Sequence, residues 1–172
     1  MRVINFIIGC ILLTLTTLVT NSFATIGEVS ISTGSAVIDR KDGKADVKVK
    51  KELDVFSYDT VKTGDGKVGI KFIDDTRVDV TEHSKLIIDE FVYDPNTKTG
   101  SLSLKATLGT VRYASGQIAK NSKQNVKIST PTATIAVRGT DFAMTVNEIG
   151  GSTIVLLPSC DGNGSCYVGE IE

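Results

Sequence analysis

The chain has 172 residues, 41% hydrophobic and 23% charged, which suits one ordinary domain with a working core, and no second domain is expected. Its 19 Lys and Arg stand against 20 Asp and Glu, a formal charge of −1. That balance excludes a global electrostatic drive toward nucleic acid or an anionic membrane, so any binding is local.

The N-terminal residues read differently from the rest. Arg2 gives a positive start, Ile4 to Val19 is an apolar run diluted by Asn5, Gly9 and several Thr, and Ser22-Phe23-Ala24 puts small residues at the third and last positions before a cut after Ala24. A short apolar helix followed by such a site is the pattern of a secretory signal peptide. Residues 1–24 are therefore expected to be removed, leaving a mature chain 25–172 that is periplasmic or secreted and has no transmembrane anchor. An uncleaved membrane anchor is the alternative reading of this stretch. Ile7-Ile8-Gly9-Cys10 also resembles a lipobox with Cys10 acylated, although few residues precede it to form the apolar segment it would need.

From Thr25 onward the pattern has a period of two, as half-buried strands do. Short runs of this kind lie at Glu28 to Ile31, Ala36 to Ile38 and Val47 to Val49. Val68, Ile70 and Phe72 then alternate with Gly69 and Lys71, and Val78 and Val80 flank Asp79. Further runs follow at Lys85 to Tyr93, Leu102 to Leu104, Thr110 to Tyr113, Val126 to Ile128, Thr134 to Val137 and Ile154 to Leu157. No stretch sustains a helical stripe. Turn signals separate the runs at Asp42-Gly43, Thr63-Gly64-Asp65-Gly66, Asp74-Asp75, Asp94-Pro95-Asn96, Ser115-Gly116 and Gly150-Gly151. The expected fold class is all-β, an antiparallel sandwich or jelly-roll-like domain. Thr-Gly recurs at Thr33, Thr63 and Thr99 with unequal spacing and unmatched flanks, which reads as turns rather than a solenoid. Tyr167 to Glu172 looks like a strand just starting, which either continues in a longer native chain or closes the fold as an edge.

Cys160 and Cys166 are separated by Asp161-Gly162-Asn163-Gly164-Ser165, residues that tolerate positive φ. In an oxidising compartment the simplest outcome is a local disulfide. Two thiols with no third or fourth ligand nearby complete no tetrahedral zinc shell, and a redox pair is usually spaced Cys-x-x-Cys. His83 is the only histidine. With Ser84 and Asp89 it raises a hydrolytic set, but Thr81-Glu82-His83-Ser84 reads as a solvated turn between strands. Asp74, Asp75 and Asp79 do not have the spacing of an EF-hand loop and read as an acidic turn. No catalytic residue, metal or cofactor is expected. Six basic positions between Arg40 and Lys51, with three more from Lys120 to Lys127, read as solvated hairpins. Adjoining in space, they would suit an anionic glycan, a lipid headgroup or an acidic protein face. Nucleic acid is disfavoured by export and by scarce aromatics.

Four stretches in order resemble the FecR domain, over about residues 27 to 157. They are Gly27-Glu28-Val29 with Gly34-Ser35-Ala36-Val37, then Asp59-Thr60-Val61-Lys62-Thr63-Gly64 followed by Val68 to Val78, then Leu104 to Arg112, where Leu108-Gly109-Thr110-Val111-Arg112 resembles a "G-x-[VL]-R" step, and finally Ser129 to Phe142. The last is the most specific, matching a "T-P-x-A-x-x-x-V-R-G-T-x-F" signature at Thr130, Pro131, Ala133, Val137, Arg138, Gly139, Thr140 and Phe142. The resemblance implies an extracytoplasmic all-β domain used in binding or signalling, not catalysis. Membrane-spanning FecR regulators carry a cytoplasmic sigma-engaging segment and a transmembrane helix before this domain. Here the domain is expected to follow a cleavable signal directly, which leaves a free binding module with a protein or glycan of the cell envelope as partner. The alternative is a structural component of an envelope or surface assembly.

Within the signature, Pro131 has no N–H for a ladder and fits a strand entrance or edge. Ile135 and Val137 alternate into a core, Gly139 suits a bulge or positive φ, and Thr140 and Asp141 can bond local backbone. Arg138 is expected to stitch loops together through carbonyls and a carboxylate. Its alternative role is ligand-facing, which makes it the one candidate binding residue.

Overall fold

A computed structural model describes residues 24–41, 45–122, 124–137, 139–160 and 164–168. In chain order its elements are β1 (Gly27–Thr33), β2 (Ala36–Asp39), β3 (Val47–Lys48), β4 (Asp54–Val55), β5 (Thr60–Thr63), β6 (Lys67–Phe72), β7 (Arg77–Val80) and β8 (Lys85–Asp94). There follow β9 (Thr99–Ala114), the short helix α1 (Gln117–Asn121), β10 (Val126–Ser129), β11 (Thr134–Ala136), β12 (Asp141–Val146), β13 (Ser152–Leu157), β14 (Ser159–Cys160) and β15 (Cys166–Tyr167).

The strands form two sheets that share β9. One runs β4-β1-β6-β7-β9-β12-β13 and uses the C-terminal half of β9, whose Gly109 to Tyr113 pair with Val146 to Phe142. The other runs β3-β2-β5-β8-β9-β10-β11 and uses the N-terminal half, with Leu104 opposite Ile88 of β8 on one side and Ile128 of β10 on the other. The class is all-β and antiparallel, as the alternation predicts, with β9 and β10 as a parallel pair. The runs at Leu102 and Thr110, which the sequence separates, belong to one sixteen-residue strand.

The reason for that continuity lies in which side chains turn inward. Leu102, Leu104 and Ala106 are buried at even positions, whereas Val111 and Tyr113 are buried at odd ones. The switch occurs at Gly109, where φ is +78° and a Cβ would fall 2.1 Å from Ser84 Oγ. Glycine alone fits such a corner, and there the strand leaves one sheet and enters the other. β8 resets its phase differently. Leu86 and Ile88 are buried and then Phe91, with a register shift between Ile88 and Glu90, the signature of a bulge.

The two inner faces meet in one core. Phe72 of β6 stacks on Phe91 of β8 with ring centroids 5.3 Å apart, joining sheet to sheet. Tyr113 and Phe142 stack at 5.3 Å on the neighbouring strands β9 and β12. Val29, Ile38, Val61, Ile70, Leu86 and Ile128 fill the space around them. β12, for which the sequence reading has no strand, buries Phe142, Met144 and Val146 on this core. No helix among the described residues is long and apolar enough to cross a membrane.

Candidate functional site

The signature segment begins with a closed turn. Thr130 N–H donates to the Ala133 carbonyl at 2.8 Å, and Ala133 N–H donates to Thr130 Oγ1 at 3.0 Å. Ser152 Oγ, on β13, donates to the same Thr130 hydroxyl at 2.8 Å. Pro131 sits exposed at the turn, before β11, beside Gly150 of the β12–β13 loop. The signature threonine and proline thus fasten the end of one sheet to the edge strand of the other. Ile135 and Val137 are buried, and Val137 N–H donates to the Val126 carbonyl at 3.1 Å.

Past Val137 the chain bends through Gly139 at φ +73° and enters β12. Thr140 is fully buried, and its carbonyl accepts the Ser115 hydroxyl at 2.9 Å. Asp141 Oδ1 accepts the Ser115 N–H at 2.9 Å, a bond to chain 26 residues away rather than to the local backbone the sequence suggests. Arg138 lies outside the described residues, so the candidate binding role is carried no further by its surroundings.

Next to this segment is a polar cluster that sequence reading misses. Asp74 is fully buried. Its Oδ1 accepts the Thr76 N–H at 3.1 Å, and its Oδ2 accepts the Thr76 hydroxyl at 2.8 Å and the Ile118 N–H at 3.2 Å. Its carbonyl accepts the Gln117 N–H at 2.7 Å. Gly116, which precedes α1, offers no side-chain cap, so a carboxylate from a distant turn satisfies the helix's open N–H groups. The buried Tyr113 hydroxyl lies among Thr76, Ser115, Asp74 and Asp141 and makes no well-formed hydrogen bond. Burial, with the Asp74 charge second, holds this phenol well above the ordinary tyrosine range. The signal that could have found the cluster is the Asp-x-Thr spacing of Asp74 and Thr76, but its distant partners are invisible in sequence.

Among the described residues, the structure does not bring the other chemistry-bearing side chains into one constellation. His83 is exposed at φ +52°, with Nε2 at 3.3 Å from Asp65 Oδ1. Ser84 is buried, its hydroxyl accepting the Thr110 N–H at 2.9 Å beneath Gly109. Of the three turn carboxylates, Asp74 is bonded to backbone and Thr76 as described, Asp75 pairs with Lys71 at 3.5 Å, and Asp79 lies 3.9 Å from Lys67. Arg40, from the basic run, lies over the Phe56 ring at 4.8 Å and donates to the Asp54 carbonyl at 2.7 Å. Lys62 reaches Asp39 at 3.0 Å and Asp46 at 3.4 Å, and the Asp39 bond leads the effects that raise its pKa. Residues 42–44 of that run lie outside the described residues. A shallow groove of about 240 Å³ lies between Glu28, Asp54, Lys71, Phe72 and Asp75.

Cys160 and Cys166 form a disulfide, with Cα atoms 4.0 Å apart. It joins β14 to β15, a two-stranded sheet separate from the main pair.

Residues 59–158 match the family described as FecR protein. Neither the curated proteins nor the solved structures give a match. The matched stretch takes in β5 through β13, the shared strand and the whole signature, which is more than half of the chain. Strands β1 and β2 precede it, yet β1 pairs with β6 and β2 with β5 inside it. The chain belongs to the FecR protein family, a family of signalling and regulation.

Proposed function

We propose that this chain is a noncatalytic, extracytoplasmic binding or signalling module whose partner is a protein or glycan of the cell envelope. The observation that carries the reading is the signature segment itself. Its described side chains and backbone are spent on holding the scaffold together: Thr130 ties one sheet to the other through Ser152, while Asp141 to Ser115 and Phe142 to Tyr113 fasten β12 to β9 within one sheet. A family defined by such scaffold residues keeps a shape, and binding by a rigid β scaffold needs a shape and no perturbed acid–base pair. The Cys160–Cys166 disulfide supports an oxidising compartment, as does the Ser22-Phe23-Ala24 cleavage pattern, which assigns a mature N-terminus at Thr25.

A second reading, a structural component of an envelope or surface assembly, is favoured by one feature: the edge of β13, which among the described residues pairs only with β12. Affinity capture from envelope extract separates the two. A discrete, stoichiometric partner supports the binding module. Recovery only within a large insoluble assembly supports the structural component, and retention of residues 1–24 in the intact mass of the exported protein would sink the proposed export.

A further inference from the structure

Among the described residues, two sheets joined at one strand end in four edge strands, and three of them are blunted. β3 and β4 are two residues long and carry Lys48 and Asp54, and β11 is three residues long. Short, charged strands discourage edge-to-edge pairing. β13 is different. It is six residues long, Ser152-Thr153-Ile154-Val155-Leu156-Leu157, with no charge and no proline, and among the described residues it pairs only with β12.

Its geometry suits one kind of partner. The β12–β13 hairpin closes with Asn147 N–H donating to the Gly151 carbonyl at 2.9 Å, and in an antiparallel ladder the bonded pairs alternate from there. The N–H and C=O groups of Ile154 and Leu156 therefore point away from β12, toward the open edge. The side chains of Ile154 and Leu156 pack on the core, while Thr153 and Val155 face outward, Val155 with 54% of its surface exposed. An uncharged strand gains nothing from a charged partner strand, which would be desolvated without compensation. A strand of the same alternation and no charge meets the requirement, and the molecule itself supplies one.

We propose that β13 is a homodimerisation edge, pairing antiparallel with β13 of a second copy about a twofold axis at Val155. That register sets Ile154 opposite Leu156 on the core side and Val155 against its own copy on the outer side. It satisfies about four backbone groups per copy that are otherwise left to water, brings no like charges together, and is closed by symmetry, so it gives a dimer and not a fibre.

The test is sedimentation of the full chain at micromolar concentration, wild type beside Val155→Lys and Ile149→Ser. The expected result is a wild-type dimer and a monomeric Val155→Lys whose far-UV circular dichroism is unchanged, so that lost pairing is told apart from lost fold. Ile149→Ser, which removes a 91% exposed side chain from the loop before β13, should stay dimeric. A Val155→Cys variant, mildly oxidised, should give a peptide linked from position 155 to itself, since directly opposed residues of a non-bonded antiparallel pair stand about 4.5 Å apart. A monomeric wild type, a Val155→Lys chain that remains dimeric, an Ile149→Ser chain that dissociates, or absence of the 155–155 link would each overturn the proposal.

Discussion

Asp74 Oδ2 accepts the N–H of Ile118 at 3.2 Å across 44 residues of sequence, so a β-turn carboxylate holds the start of the helix that follows the shared strand. Removing it leaves the Ile118 and Thr76 donors buried and unpaired. Asp74→Ala should lower stability by about 3 kcal/mol, since hydrogen bonds to charged groups contribute about 1.5–3 kcal/mol and orphaned partners add to the loss. Urea denaturation measures it, and an unchanged midpoint would count against the assigned role.

Tyr113→Phe should behave in the opposite way. The phenol hydroxyl makes no well-formed bond, so its loss at neutral pH should shift stability by less than about 1 kcal/mol. The difference lies at alkaline pH. A group whose folded pKa is raised above its unfolded value, near 10 for tyrosine, contributes stability that is present below that value and lost as pH rises through it. Because burial raises the Tyr113 pKa, the wild type should lose more stability than Tyr113→Phe between about pH 10 and 12. Urea midpoints across that window, superimposable for the two proteins, would remove the argument.

Gly109 tests the corner of β9. Alanine there takes a strained positive φ and puts its Cβ 2.6 Å from Ser84 Cα. Gly109→Ala should cost about 2–4 kcal/mol or prevent folding, combining a backbone penalty of about 1–3 kcal/mol with overpacking. Circular dichroism and chemical denaturation read the effect.

The disulfide should matter only locally. Cys160 and Cys166 close a small loop in a sheet that is separate from the main one. Alkylation of the folded, unreduced protein should find no free thiol at either position. Reduction should move the denaturation midpoint of the two large sheets by less than about 1 kcal/mol, below the roughly 2 kcal/mol that loop entropy would give a bond within the cooperative unit.

Arg138 divides scaffold from binding site. As a scaffold residue, it should cost about 2–4 kcal/mol when replaced by alanine, because buried acceptors lose a charged donor. Retained melting temperature with loss of the envelope partner would reassign it to the binding face.

Much of the fold is legible in the sequence because burial on one face of a strand is a local pattern. Val68, Ile70 and Phe72 of β6, and Lys85 to Tyr93 of β8, are read from alternation alone. The local cysteine spacing gives the disulfide for the same reason. The shared strand is not legible, since the inward face switches at Gly109 and splits the pattern into two separate runs, and Ser84, which fixes that corner, is distant in sequence. β12 escapes differently: Phe142, Met144 and Val146 alternate plainly, but they follow a Gly-Thr pair that reads as loop. Asp74 is the clearest limit. Nothing in Asp74-Asp75 distinguishes the buried carboxylate from the exposed one, because what buries Asp74 is a helix 44 residues downstream.

The strand common to both sheets also constrains how the chain acquires its structure. The N-terminal half of β9 completes a ladder with β8 and β10, and its C-terminal half one with β7 and β12. Neither ladder set closes until this one segment is placed, and its pairings reach from Arg77 to Val146. Loop closures of that span precede their reward, which slows the search and raises contact order. Once β9 is seated, the rest can condense on both of its sides together, so the two sheets should unfold as one cooperative transition rather than in succession.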